Sequence, residues 1–441
     1  MYRLAVVAVI ALVLSISGGI GLFRDQDTTS ASPPASVGAS VGLVTAGSTD
    51  IATYVTALQD RLRRLPQDYE GWANLGIAYV EQARVSGNPS FYAQAEKAIT
   101  RSLEVRAKDN ATAHAADAIL SSARHDFGAA LDAANEALRI NPYHPVGLTA
   151  RIDALTELGR YPEQMNALGL ADRRQPGVPV SARYSYAFEL RGDLAQASKI
   201  LDRSAATAQL AQSADKAYLL TLLADLERRR GLLERSERHL REALRLSPEH
   251  VPARAGMARL AVARGQLDRA AQEWEQVVEI LPLAEYLTEL GELYEFMGRD
   301  DEAREQYDVI DATTQLFASS GVNTDLEVAL FAADHGDPAT GVESARAEWD
   351  RRKSIHVADV LAWSLHRTGD DQEALRLTRS ATRLGTAEAR LWLHRGAIEA
   401  ASGLDDAALR HLRRGIATDP GASPLQIEQA RVLIAQLGSG R

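Results

Sequence analysis

A glycine returns along this chain at a near-constant interval: Gly159, Gly192, Gly231, Gly265, Gly298, Gly336, Gly369 and Gly403. The spacings are 33, 39, 34, 33, 38, 33 and 34 residues. Self-similarity at a period near 34 residues marks an array in which each unit is one helix–turn–helix hairpin that cannot bury its apolar face alone. Five residues after each glycine stand Gln164, Ala197, Ser236, Ala270, Ala303, Gly341, Ala374 and Ala408, small in all but the first case. Seven residues further on, the slot holds Ala171, Ser204, Ala243, Val277, Ile310, Glu348, Ala381 and Gly415. Pro176, Pro248, Pro282 and Pro420 close four of the units. Each element has a mechanical reason. The glycine turns the chain through a left-handed conformation after the first helix. The small residues let the second helix approach the first, and the proline stops the second helix.

Composition agrees. Ala, Leu, Arg and Glu dominate, aromatics make up 6% and prolines number 15 of 441 residues. Such residues lose little side-chain freedom in a helix. A hydrophobic share of 46% can bury a large apolar surface, which excludes disorder for most of the length. The formal net charge of −10 argues against a nucleic-acid partner, since phosphate binding rests on an excess of Lys and Arg. With no cysteine, disulfides, thiolate nucleophiles and cysteine-based metal centres are excluded.

The motif residues resemble the tetratricopeptide repeat family. Trp72, Leu75, Gly76 and Tyr79 fill its Trp…Leu-Gly…Tyr slots, and Leu290, Gly291, Tyr294, Gly298, Ala303 and Tyr307 form a second clear unit. Weaker units close on Ala95, Ile99 and Ser102, and on Ala130, Ala137 and Pro142. The resemblance implies an all-α, right-handed superhelical solenoid of about ten hairpins over residues 69–420, with breaks near 205–216 and 311–323. Residues 50–68 are read as an N-terminal capping helix, with Ile51, Tyr54, Leu58 and Leu62 on one side. Residues 421–441 are read as a C-terminal capping helix, with Ile427, Ala430, Leu433 and Ile434 facing inward. About seven extra residues near Ser86-Gly87-Asn88-Pro89 separate the helices of the first repeat.

Leu4–Phe23 runs for 20 residues without a charge, long enough as a helix to span a bilayer core of about 30 Å. Residues 1–23 are read as a signal-anchor or a cleavable signal peptide, and residues 24–49, rich in Ser, Gly, Ala and Pro, as a flexible linker. Either reading places the repeats outside the cytoplasm, membrane-anchored or secreted. Gly38-Ala39-Ser40-Val41-Gly42 matches the nucleophile-elbow pattern but lacks the strand and helix that motif needs. No catalytic residue, metal site or cofactor is expected.

In the tetratricopeptide family the first helix of each hairpin lines a concave groove that binds a protein or peptide partner. Carried over slot by slot, the resemblance puts Tyr186, Asp225, Arg228, Arg259, Glu292, Glu295, His356, Asp359, Trp363 and His366 on that face. Trp363 is expected to face solvent, and Tyr, Trp and Arg most often dominate binding energy. The family's carboxylate clamp is missing, because Ala73 and Ile77 stand in its slots. His356 and His366, ten residues or about 15 Å apart on a helix, cannot share a metal on their own. Glu234 and Glu237 precede Arg238 and Arg241 by four residues, so that basic run is a neutralised, solvated face. A scaffold or adaptor is the leading reading. An assembly factor for an exported enzyme or cytochrome is the alternative, and a cytoplasmic sensor or an enzyme are weaker ones.

Overall fold

The computed structural model describes residues 48–207 and 213–439; the apolar run at Leu4–Phe23 and the linker up to residue 47 lie outside them. Among the described residues there are 22 helices and no strand. An opening helix, α1 (Ser48–Arg64), precedes ten hairpins. The first four pair α2 (Tyr69–Ser86) with α3 (Ser90–Val105), α4 (Ala111–Ala123) with α5 (Phe127–Ile140), α6 (Pro145–Glu157) with α7 (Tyr161–Arg174), and α8 (Val178–Glu189) with α9 (Leu194–Thr207). Three more pair α10 (Ser213–Arg229) with α11 (Leu233–Leu246), α12 (Val251–Ala263) with α13 (Leu267–Ile280), and α14 (Ala284–Phe296) with α15 (Asp300–Ser319). The last three pair α16 (Asp325–His335) with α17 (Pro338–Arg351), α18 (Ile355–Arg367) with α19 (Asp371–Ala381), and α20 (Ala389–Ala401) with α21 (Asp405–Thr418). A final helix, α22 (Pro424–Ser439), ends the array. No helix among the described residues is long and apolar enough to cross a membrane.

The two helices of a hairpin differ as their sequences do. Along α11 only Ser236, Glu237, Leu240 and Ala243 are buried, a single stripe at helical spacing. Along α18 burial runs from Ile355 to Ala362 and on to Ser364 and Leu365, because a first helix has neighbours on several sides. Small residues set the approach between partners: a Cβ on Gly291 of α14 would lie 2.3 Å from the Tyr307 ring of α15. Gln164, the one large residue in its slot, is fully buried and donates from Nε2 to Thr156 Oγ1 at 2.7 Å.

Seven of the eight periodic glycines have positive φ, and Gly336 does not. Its φ is −128°. The chain there leaves α16 and enters α17 at once, with Asp337 capping the new helix through Ala339 N and Thr340 N, so no left-handed turn is made. Extra sequence in two repeats becomes helix: α2 reaches 18 residues and α15 reaches 20.

The array curls until it meets itself. Ile355 N donates to Tyr161 Oη at 3.0 Å, and His125 Nδ1 lies 2.7 Å from Asn323 O. Arg352 pairs with Glu157, and Arg228 with Asp419. These partners stand 194, 198, 195 and 191 residues apart, so one superhelical turn takes between five and six hairpins of about 34 residues. Tyr161, Leu190, Ile355 and Leu391 form an apolar patch inside this seam. Its backbones come close: a Cβ on Gly159 would lie 2.4 Å from Lys353 O, and one on Gly192 2.4 Å from Gly385 O.

The two end helices are unequal. Ile51, Val55, Leu58 and Leu62 of α1 are buried in the core it shares with α2. Only Ala430 is buried along α22, with Ile427, Leu433, Ile434 and Leu437 packed around it. The start of α22 reaches inside the superhelix, where Gln426 Nε2 donates to Glu292 Oε1 at 3.2 Å.

A charged inner channel as the candidate binding site

Curling encloses a channel with a volume of about 540 Å³. First helices of successive hairpins line it because their inward faces converge on the superhelix axis. Six of the residues expected on the concave face are in the lining: Tyr186, Asp225, Arg228, Arg259, Glu292 and His356. Glu295, Asp359, Trp363 and His366 are not.

The lining is a set of ion pairs. Arg228 donates to Asp225 at 2.7 Å and also pairs with Asp419 from the end of the array. Arg229 pairs with Glu189. Arg259 reaches Glu285 at 2.6 Å and Glu289 at 3.0 Å, with its guanidinium over the Trp274 and Tyr286 rings at 5.4 and 5.9 Å. Burial works to raise the Asp225 carboxyl, but Arg228, Arg229 and Arg259 together hold it far below its ordinary value. His356 Nε2 lies 2.9 Å from Glu388 Oε1. Burial opposes the charged form of both. Even so, the pairing raises the imidazole and brings the Glu388 carboxyl down to about 2. Burial pushes Tyr186 well up, with Glu157 and Glu388 adding to the effect.

Trp363 corrects the sequence reading. It is half-buried rather than turned to solvent: its Nε1 donates to Asp334 Oδ1 at 2.6 Å and its ring stacks on His394 at 4.1 Å. The polar end of an indole is held inside when it finds a partner there. Asp359 is buried against His394, whose Nδ1 lies 3.1 Å away. His366 sits against Asp371 at 2.5 Å, and Glu295 beside His335 at 3.7 Å. His356, Asp359 and His366 are thus occupied in three separate pairs.

Asp334, His335, Glu388, Asp419 and Gln426 also face the channel and went unforeseen. The inward slots lie six and three residues before each periodic glycine. Counted from Gly336 they fall on Leu330 and Ala333. Leu330 does line the channel, but because Gly336 itself caps α16 the last turn runs one residue further, and Asp334 rather than Ala333 faces inward. Glu388 caps α20 and Asp419 caps α21, so both stand at helix ends outside any slot.

Residues 228–288, from the end of α10 to the first turns of α14, match the family model described as tetratricopeptide repeat. The chain carries tetratricopeptide repeats. Among solved structures it is similar to a tetratricopeptide repeat protein from Parabacteroides merdae, at 18% identity over 59% of this chain and 98% of that one, with a TM-score of 0.34. Yeast Tom70 aligns at 11% identity over 88% and 96% of the two chains, with a TM-score of 0.34. Human IFIT1, in a dimer with PPP-AAAA, aligns at 15% identity over 76% and 78%, with a TM-score of 0.45. No curated protein matches the sequence.

Proposed function

We propose that this tetratricopeptide chain is an extracytoplasmic scaffold that takes a segment of a partner protein into its inner channel. The channel itself carries the reading. A space of about 540 Å³ lies in the range of small-ligand pockets, so it admits an extended segment or a few side chains and not a folded domain. Its walls alternate guanidinium and carboxylate groups in fixed pairs, which suits a partner bearing both signs of charge. Such walls give specificity and orientation more than raw affinity. The uncharged run at Leu4–Phe23 supports export and tethering.

A photo-crosslinking side chain at Tyr186, on the channel wall, tests the proposal against the same group at Arg304, on the exposed side of α15. One partner captured from Tyr186 alone is the expected result. Equal capture from both positions, or capture from Arg304 only, removes the channel from the proposal. Alkaline phosphatase fused after residue 49 is expected to be active; an inactive, fully expressed fusion counts against export.

A further inference from the structure

Asp334 and His335 lie in the last turn of α16, beside Glu292 and Glu295 of α14. One donor atom each from Glu292, Asp334 and His335 lies within 4.8 Å of the others. The two nitrogens of His335 face different carboxylates, Nε2 at 3.4 Å from Glu292 and Nδ1 at 3.7 Å from Glu295. Three carboxylates thus share one imidazole. Elsewhere in the channel Glu189 is matched by Arg229 and Glu289 by Arg259, and Glu388 has the whole of one imidazole, His356. Around Asp334, after its own burial, the charges that weigh most are His394, Glu292 and His335, with no arginine or lysine among them. The last carbonyls of α16 add further negative potential at this point.

A second observation comes from α15. Tyr307 is 9% exposed, and its ring stacks on His335 with centroids 4.4 Å apart. Its hydroxyl is sealed from bulk solvent and is directed at Glu295, with Glu292 close by.

The geometry points to a binding site for one divalent transition-metal ion on Glu292, Asp334 and His335, with Glu295 and Tyr307 at its edge. One imidazole nitrogen and two carboxylates suit Mn²⁺ or Zn²⁺ better than Ca²⁺ or Mg²⁺, which take oxygen ligands. Tetrahedral bonds of about 2.0–2.2 Å set donor atoms roughly 3.3–3.6 Å apart, so donors that now lie within 4.8 Å of one another close in by up to about 1.5 Å. Trp363 Nε1 holds Asp334 from behind and Gln426 Nε2 holds Glu292, the outer bonds that orient ligands.

The position gives the ion a task. First helices of neighbouring hairpins pack together at several joins, as α2 with α4 and α16 with α18, and α15 meets α16 through the rings of Tyr307, Phe331 and His335. The metal would tie α14 to α16 at that ring cluster.

The test uses the full chain in detergent, stripped with a chelator and then titrated with MnCl₂ or ZnCl₂ alone. One ion per chain is expected after dialysis, with a raised melting temperature. Asp334→Asn and His335→Gln should each weaken retention at least tenfold. His411→Gln, in a pair with Glu399 elsewhere, should leave it unchanged. No retained ion, or retention by either site variant equal to that of the unmutated chain, would overturn the assignment. No protein partner enters this assay, so its failure leaves the scaffold proposal standing.

Discussion

Gly192 and Gly403 occupy the same turn in two hairpins, with φ of 75° and 73°, yet their surroundings differ. A Cβ on Gly403 would meet nothing within 4 Å, whereas one on Gly192 would lie 2.4 Å from Gly385 O. One glycine serves only its own hairpin. The other also lets a second superhelical turn rest against the first. The repeat rule explains why each turn exists but not which turns lie in the seam, and it is the seam that closes the channel.

The largest effect should come from the seam's buried charges. Arg352 is wedged between Glu157 and Glu348, all three with side chains no more than 5% exposed. Removing one partner of a buried pair leaves the other uncompensated, which typically costs about 3–5 kcal/mol. Arg352→Met is expected to lower stability in urea by roughly that amount and to expose the channel. The exposed Arg304–Asp301 pair on α15 serves as the control, and an Arg304→Ala loss of equal size would erase the distinction between seam and hairpin.

Acid should separate the two regions next. His144 and His250 precede first helices within the stack, and burial holds each imidazole neutral down to about 4. As pH falls from about 6.5 to 4, the unfolded chain takes up these protons first, so each histidine costs up to about 3 kcal/mol. His356, on the channel wall next to Ile355 of the seam, behaves in the opposite sense. His356 is raised by Glu388, so its contribution is complete below about 6.5 and fades as pH rises through the folded value. The Glu388 contribution is present above about 4.5 and is lost as pH falls toward about 2. Denaturation midpoints across pH should therefore flatten on the acid side in His144→Asn, which keeps a helix-capping side chain, and on the alkaline side in His356→Gln. The same slope in all three proteins would contradict both assignments.

Much of this was legible in the chain. Glycine spacing specifies eight of the ten hairpins, and the motif residues of the first two units the rest, because each turn is a local event decided within a few residues. Six of ten inward residues follow from the same period. The seam leaves no such trace: Gly159 and Gly192 look like Gly231 and Gly265 in sequence, since their second partner lies 194 and 193 residues away, at Lys353 and Gly385. Asp334 escaped because Gly336 shifts the count by one. Trp363 sits in an inward slot but is drawn back by Asp334 and His394, partners that the period could not supply.

The smallest predicted difference is the most direct test of the opening comparison. Ala at any left-handed turn strains the backbone by about 1 kcal/mol, so Gly403→Ala should lower the melting temperature by only a few degrees. Gly192→Ala carries the same strain and, in addition, a clash with a backbone oxygen that no side-chain rotation relieves. Overpacking of that kind adds about 1–3 kcal/mol. The two variants share one substitution and one φ, so their difference isolates the seam. Equal melting temperatures would mean that the second turn can lift away from the first at little cost, and that the channel wall is a hinge.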